Sequence, residues 1–135
     1  MKIVLDTTAL LLAFFFDGYP RQLIEAVVQE RIAAYATREI LEEYEAAVAK
    51  MKSGKKGRLN PNLLFPFTSR LHIVRSKCRN ALCLNPDDDK FVACAKAANA
   101  IYIVNDGKKV SFIGSHKSTK VLPAELACLL LTLCK

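Results

Sequence analysis

Asp6 follows the aliphatic run Ile3-Val4-Leu5 and is followed by Thr7, Thr8 and a second apolar run from Ala9 to Phe16. A β-branched and aliphatic stretch that stops abruptly at a carboxylate and two hydroxyls suits a buried strand delivering an acid to a loop before a helix. Such an acid is either a site residue or a helix cap. A site residue requires other carboxylates to converge on the same end of the sheet, whereas a cap requires nothing to converge.

Three further acids are positioned to be tested against Asp6. In the helix expected from Arg38 to about Met51, Ile40, Leu41, Tyr44, Ala47, Val48 and Met51 form one stripe, and Glu42 points away from it. Glu43 and Glu45 fall on opposite edges of that stripe, and periodicity does not choose between them. Asn85-Pro86-Asp87-Asp88-Asp89 opens an Ala-rich helix expected from about Pro86 through Asn99, with Asn85 as its cap, and Asp87 and Asp88 suit the first turn. Asp89, three and four residues before Val92 and Ala93, is the acid nearest the packed side. The strand Ile101 to Val104 ends in Asn105-Asp106-Gly107, which in isolation is ordinary turn chemistry.

The elements that carry these acids alternate. The segment Arg21 to Arg31 reads as a surface helix with Leu23, Ile24, Val27 and Val28 inward, Ile32 to Ala36 as a second strand, and Thr37 as the cap of the next helix. Leu71 to Val74 reads as a third strand, preceded by a helix over 62–70 that Pro66 should shorten or break. Thr119 to Leu122 reads as a short edge strand, and Pro123 to Cys134 as a terminal helix. That helix is apolar nearly all round, which calls for deep burial or cover by a second copy or partner. The order predicts an α/β protein: a three-layer α/β/α sandwich around a four- to five-stranded, mainly parallel sheet. In such a sheet the loops leaving the strand C-termini form one crevice, where Asp6, Glu43, Asp89 and Asp106 all fall.

Composition sets the bounds. The 135 residues, 52% of them hydrophobic, are expected to form one domain over 1–135. A net charge of +7 favours a polyanionic partner such as nucleic acid, or an acidic protein. Lys50 to Arg58 holds five cations with Gly54 and Gly57, and reads equally as a solvated helix end or a phosphate-contacting loop. Cys78, Cys83, Cys94, Cys128 and Cys134 lack the spacing of a zinc site or disulfide framework, and imply buried thiols in a reducing cytoplasm. His72 and His116 read as structural. Lys2 and the apolar run after it imitate a secretory signal, but Asp6 and Asp17 interrupt it and no cleavage pattern follows. The apolar run from Leu126 to Cys134 is too short for the roughly 20 residues a bilayer requires. No membrane anchor is expected.

Carboxylates brought together repel, and a hard cation relieves the repulsion. Oxygen donors without a His or Cys cluster favour Mg²⁺ or Mn²⁺. Such an ion can activate water and neutralise charge developing in phosphodiester hydrolysis.

Four segments in chain order, Val4-Leu5-Asp6-Thr7-Thr8, Ile40-Leu41-Glu42-Glu43-Tyr44, Asn85 to Phe91 and Tyr102 to Asp106, resemble the four motifs of PIN-domain nucleases. Within that family the chain is most similar to the VapC-like toxin branch. The resemblance implies a metal-dependent ribonuclease with Mg²⁺ or Mn²⁺ held by acids at the strand ends, an RNA substrate and a cognate antitoxin protein. By motif position Asp6 is the first metal ligand, Glu43 rather than Glu45 the helical acid, and Asp89 the acid opening the later helix. Thr8 takes the place of a small polar residue that orients the first acid.

The chain departs from the pattern in the fourth motif. The family commonly has Thr or Ser, Gly, Asp and a further Asp two residues on; here Asn105, Asp106, Gly107 and Lys109 stand there. Either Asp106, displaced by one residue, compensates through the freedom of Gly107 with Asn105 in support, or the second metal position is weakened; the alternative function is a degenerate module that binds RNA or protein without catalysis. A doubly wound phospho-acceptor domain would need an acid ending a middle strand, where Ala36 and Arg75 stand instead.

Overall fold

The computed structural model describes residues 1–54, 61–76, 87, 89–100, 102–105 and 120–133. Their elements are β1 (Lys2–Leu5), α1 (Thr7–Phe15), α2 (Tyr19–Val28), β2 (Ala33–Ala36), α3 (Arg38–Gly54), α4 (Pro61–Arg70), β3 (His72–Ile73), α5 (Asp89–Ala98), β4 (Tyr102–Val104), β5 (Lys120–Leu122) and α6 (Ala124–Leu133). The strands form a five-stranded sheet in the order β3-β2-β1-β4-β5. Every pairing is parallel, with Leu5 opposite Val104 and Ile3 opposite both Ala34 and Tyr102. This is the α/β architecture expected from the alternating pattern.

β1 occupies the centre because Ile3, Val4 and Leu5 are buried on both faces, the signature of a strand covered by helices on each side. The chain winds from β1 through β2 to β3 in one direction and then crosses to β4 on the other side of β1. With right-handed crossovers, this reversal puts α5 on the face opposite the helices of the first half. α5 accordingly packs on β1, β2 and β4, while α2 packs on α1, α4 and α6. Ala93, Cys94, Ala95 and Ala98 let α5 lie close to the sheet, with Phe91 and Val92 filling the remaining space. β3 is reduced to two residues, both exposed, as befits an edge strand.

Two local expectations needed correction. Pro66 does not break its helix: α4 continues from Pro61 through Pro66 to Arg70. Phe67 is fully buried, edge-on to Phe14 at 5.8 Å and beside Tyr44 at 6.4 Å, and this packing holds the helix across the missing donor. There is also no loop between β1 and the first helix. Asp6 is itself the N-cap of α1, its Oδ1 accepting the Ala9 N–H at 2.9 Å, so the acid is held rigidly at the junction.

α6 is partly covered. Ala124 and Ala127 are buried, and the helix lies against α2, while Leu126 and Leu129 are 48% and 52% exposed. No helix among the described residues is long and apolar enough to cross a membrane.

Candidate active site

The strand order reverses between β1 and β4, and the C-terminal ends of those two strands meet there. This is the switch point at which doubly wound sheets form their ligand crevice. Asp6 leaves β1 and Asn105 leaves β4. The Asp6 N–H donates to the Val104 carbonyl at 3.0 Å, extending the ladder past the strand ends and holding the two residues side by side.

Both side chains are buried, each with 4% of its surface exposed, but they differ in partners. Asp6 caps α1. The Asn105 amide has neither its nitrogen nor its oxygen paired among the described residues. An unpaired buried amide costs on the order of 1–3 kcal/mol, and the folds that keep one generally use it for water, an ion or a ligand. The Asn105 N–H, by contrast, is satisfied by the Leu122 carbonyl at 2.9 Å.

Glu43 enters from α3. Periodicity left Glu43 and Glu45 equivalent; in the fold Glu45 is exposed, whereas Glu43 is partly buried and turned toward the start of α1. Glu43 Oε2 accepts a hydrogen bond from the Thr7 hydroxyl. Thr8, the residue expected to orient the first acid, is exposed; the hydroxyl that reaches Glu43 is that of its neighbour Thr7. The other oxygen, Oε1, lies 2.5 Å from the Lys90 ammonium. Asp89, partly buried, opens α5 immediately before Lys90, and Asp87 is exposed. The Lys90 pKa is raised: burial pulls it down, and the hydrogen bond to Glu43 with the charges of Glu43, Glu39 and Asp87 more than offsets this.

Tyr44, the residue after Glu43, points into the core and donates its hydroxyl to the carbonyl of Leu5, the last residue of β1. α3 is thereby pinned to the strand end that delivers Asp6. The Tyr44 hydroxyl has its pKa raised well above the usual phenol value, first by burial and then by Cys94, Asp6 and Glu43 nearby.

Asp6, Glu43 and Asp89 thus share the C-terminal end of the sheet, but among the described residues no three His, Cys, Asp or Glu side chains are close enough to form one metal-ligand set. A lysine stands against one of the acids instead. Asp106, with Gly107 and Lys109, lies outside the described residues, as do Asn85, Pro86, Asp88, His116, the later part of the basic segment from Lys55 to Arg58, and Cys78, Cys83 and Cys134. Cys94 is buried and Cys128 partly so, and burial pushes the Cys94 thiol up to about 12.

The donors nevertheless suit a hard divalent ion. Among the described residues they are oxygens of carboxylates and an amide with no soft ligand grouped among them; one acid already attracts a cation, and a buried amide beside Asp6 has no partner there. Thr7, Lys90 and Tyr44 were not legible as site residues, because each acts through a contact across the fold.

A different surface lies at the opposite, N-terminal end of the strands. There a cavity of about 590 Å³ is lined by, among others, Lys2, Glu30, Arg31, Arg70 and His72. His72 is exposed and stacks on Tyr35 at 4.9 Å.

The sequence of residues 2–108 matches the PIN domain model. The chain therefore belongs to the PIN domain family, a family of nucleases. It is also similar to MJ1680, an uncharacterised protein of Methanocaldococcus jannaschii, with 26% identity over 126 residues that cover 90% of this chain and 81% of that one. No solved structure matches it.

Proposed function

We propose that this chain is a single PIN domain over 1–135 acting as a divalent-metal-dependent ribonuclease, with Mg²⁺ or Mn²⁺ as cofactor and RNA as substrate. The observation that carries the reading is the pair at the switch point: Asp6 fixed at the end of β1, beside a buried Asn105 amide without a partner among the described residues. Asp6 would hold the ion, with Glu43 and Asp89 at its margin and Asp106 as the further acid. A bound divalent ion supplies an activated water and neutralises charge on the scissile phosphate. The protein's own contribution is placement. The α1 cap fixes Asp6, the Thr7 hydroxyl fixes Glu43, and the Tyr44 bond to Leu5 ties the two supporting elements together.

The net charge of +7 supports a polyanionic substrate by favouring its encounter. The VapC-like resemblance supports a finer reading, in which the nuclease is a cytoplasmic toxin held by a cognate antitoxin. The half-exposed Leu126 and Leu129 of α6 offer an apolar face for a second copy of the chain, giving a homodimer.

The test is cleavage of single-stranded RNA by purified protein. Activity should appear with Mn²⁺ or Mg²⁺, vanish in EDTA, and be lost in Asp6→Asn and Asp89→Asn. Cleavage that ignores EDTA, or variants that cleave like the parent, would remove the metal-nuclease reading. A parent that binds RNA without cleaving it under any divalent ion would support the degenerate binding module.

A further inference from the structure

We propose that Lys90 is a built-in counter-cation of the acidic crevice: in the metal-free protein its ammonium neutralises Glu43, and a divalent ion has to displace it to reach that carboxylate. The inference rests on the metal-binding reading above and adds a competitor to it.

Lys90 stands where helix physics disfavours it. It is the second residue of α5, in the turn whose free N–H groups carry the positive end of the helix dipole, a position that favours acids such as Asp89. A cation there loses stability locally, so something outside the helix must hold it. The partner is Glu43 of α3, at 2.5 Å, with the lysine side chain 20% and the glutamate side chain 33% exposed. That is more enclosed than a solvent-screened surface pair. Glu39, also of α3, and Asp87, just before α5, act electrostatically on the ammonium as well.

The pair is also oriented. Glu43 cannot turn freely, because its second oxygen receives the Thr7 hydroxyl from the first turn of α1. Thr7 and Lys90 thus grip the two oxygens of one carboxylate from α1 and α5. This arrangement keeps the acid in place without a metal and relieves the repulsion that an empty acidic crevice would suffer. A merely structural pair would make the same contacts without competing with a cation, so removing the lysine would leave metal affinity unchanged or weaker, whereas removing a competitor tightens it.

The experiment is calorimetric titration of Mn²⁺ into the full chain, for the parent, Lys90→Met, Lys90→Gln and Lys90→Arg, with Asp6→Asn as the site control. Losing the competing charge should tighten Mn²⁺ binding about tenfold in Lys90→Met and Lys90→Gln. The same variants should melt lower than the parent in EDTA and gain more on adding Mn²⁺. Lys90→Arg keeps the cation and should bind no tighter than the parent. Parent-like or weaker affinity in both neutral variants, with the parent itself binding Mn²⁺ through Asp6, overturns the role of Lys90 alone. Absence of Asp6-dependent binding in the parent and in both neutral variants overturns the metal reading, and this inference with it. Binding only in the neutral variants supports a lysine that excludes the ion outright.

Discussion

Among the described residues, the two ends of the parallel sheet gather different groups of charged side chains. The C-terminal end holds Asp6, Glu43 and Asp89, while Lys2, Arg31, Arg70 and His72 line the cavity at the N-terminal end, with Glu30 among them. Part of this contrast is ordinary helix chemistry. In a parallel sheet the helices begin near the strand C-termini and end near the strand N-termini, so acids are favoured at one end and cations at the other. Asp6 caps α1, Asp89 opens α5, and Arg70 closes α4 with a bond to the Pro66 carbonyl. What exceeds that baseline is confined to the acidic end. A lysine in the first turn of a helix, held by an acid from another helix, and a buried amide unpaired among the described residues are both unfavourable to stability alone. The departure at the cationic end is of another kind: Glu30, just after α2, takes a left-handed backbone with φ +60°, which ends the helix and involves no misplaced charge or buried polar group. Function is therefore easier to argue where local rules are broken than where charge is merely concentrated.

The largest effect should come from breaking the acidic end without unfolding it. Asn is as good an N-cap as Asp, so Asp6→Asn should keep the thermal midpoint within a few degrees while lowering RNA cleavage by on the order of a hundredfold or more. Parallel melting curves and single-turnover rates would separate the two. If the charge contrast mattered only for stability, both quantities would move together.

Next in size is the link between the acidic crevice and the core. Tyr44→Phe removes the hydroxyl and leaves the Leu5 carbonyl without that donor, with an expected loss of about 1–3 kcal/mol in urea unfolding. Activity should fall beyond what the stability loss explains, because β1 is then freer at the point that delivers Asp6.

A smaller effect concerns pH. The Cys94 pKa is raised from 9.0 to about 12 by burial, so the folded state holds its proton more tightly than the unfolded one. Its contribution is complete below pH 9 and is lost as pH rises from 9 toward 12. Cys94→Ala should therefore show a shallower decline in unfolding free energy over that window than the parent. The remaining slope includes Tyr44, whose raised pKa acts in the same direction. Equal slopes would place Cys94 outside the alkaline transition.

The smallest effect should come from the cationic end. Arg31→Ala with Arg70→Ala should weaken RNA binding only a few-fold and reduce its salt dependence by about one to two contacts, leaving the single-turnover rate on bound RNA near that of the parent. A loss as large as that of Asp6→Asn would reverse the assignment of roles to the two ends.

Much of this arrangement is legible in the sequence. The aliphatic run before Asp6 reads as a buried strand, and in the fold it is β1, the middle strand with Ile3, Val4 and Leu5 all buried; Thr37 reads as a cap that the Ile40 N–H uses, at 3.2 Å. What could not be read depends on contacts between distant parts of the chain. Glu43 and Glu45 are equivalent on a helical wheel; the resemblance of the motif favours Glu43, and the packing of α3 against α1 and α5 is what turns Glu43, and not Glu45, inward. Thr7 and Thr8 are likewise equivalent as neighbours, until the helix begins at Thr7 and turns one hydroxyl toward α3. Lys90 carries no signal of its own in the sequence, because its partner lies on α3 and no local spacing marks the pairing. Pro66 reads as a break, because Phe67's buried position beside Phe14 and Tyr44 is invisible locally.

The most direct measurement is anomalous diffraction from a crystal of the full chain soaked in Mn²⁺. The account predicts a peak at the end of β1 within coordination distance of the Asp6 carboxylate, and no equivalent peak at the cationic cavity. Manganese found only elsewhere, or an Asp6 carboxylate without metal in a lattice that leaves the crevice open, would contradict it.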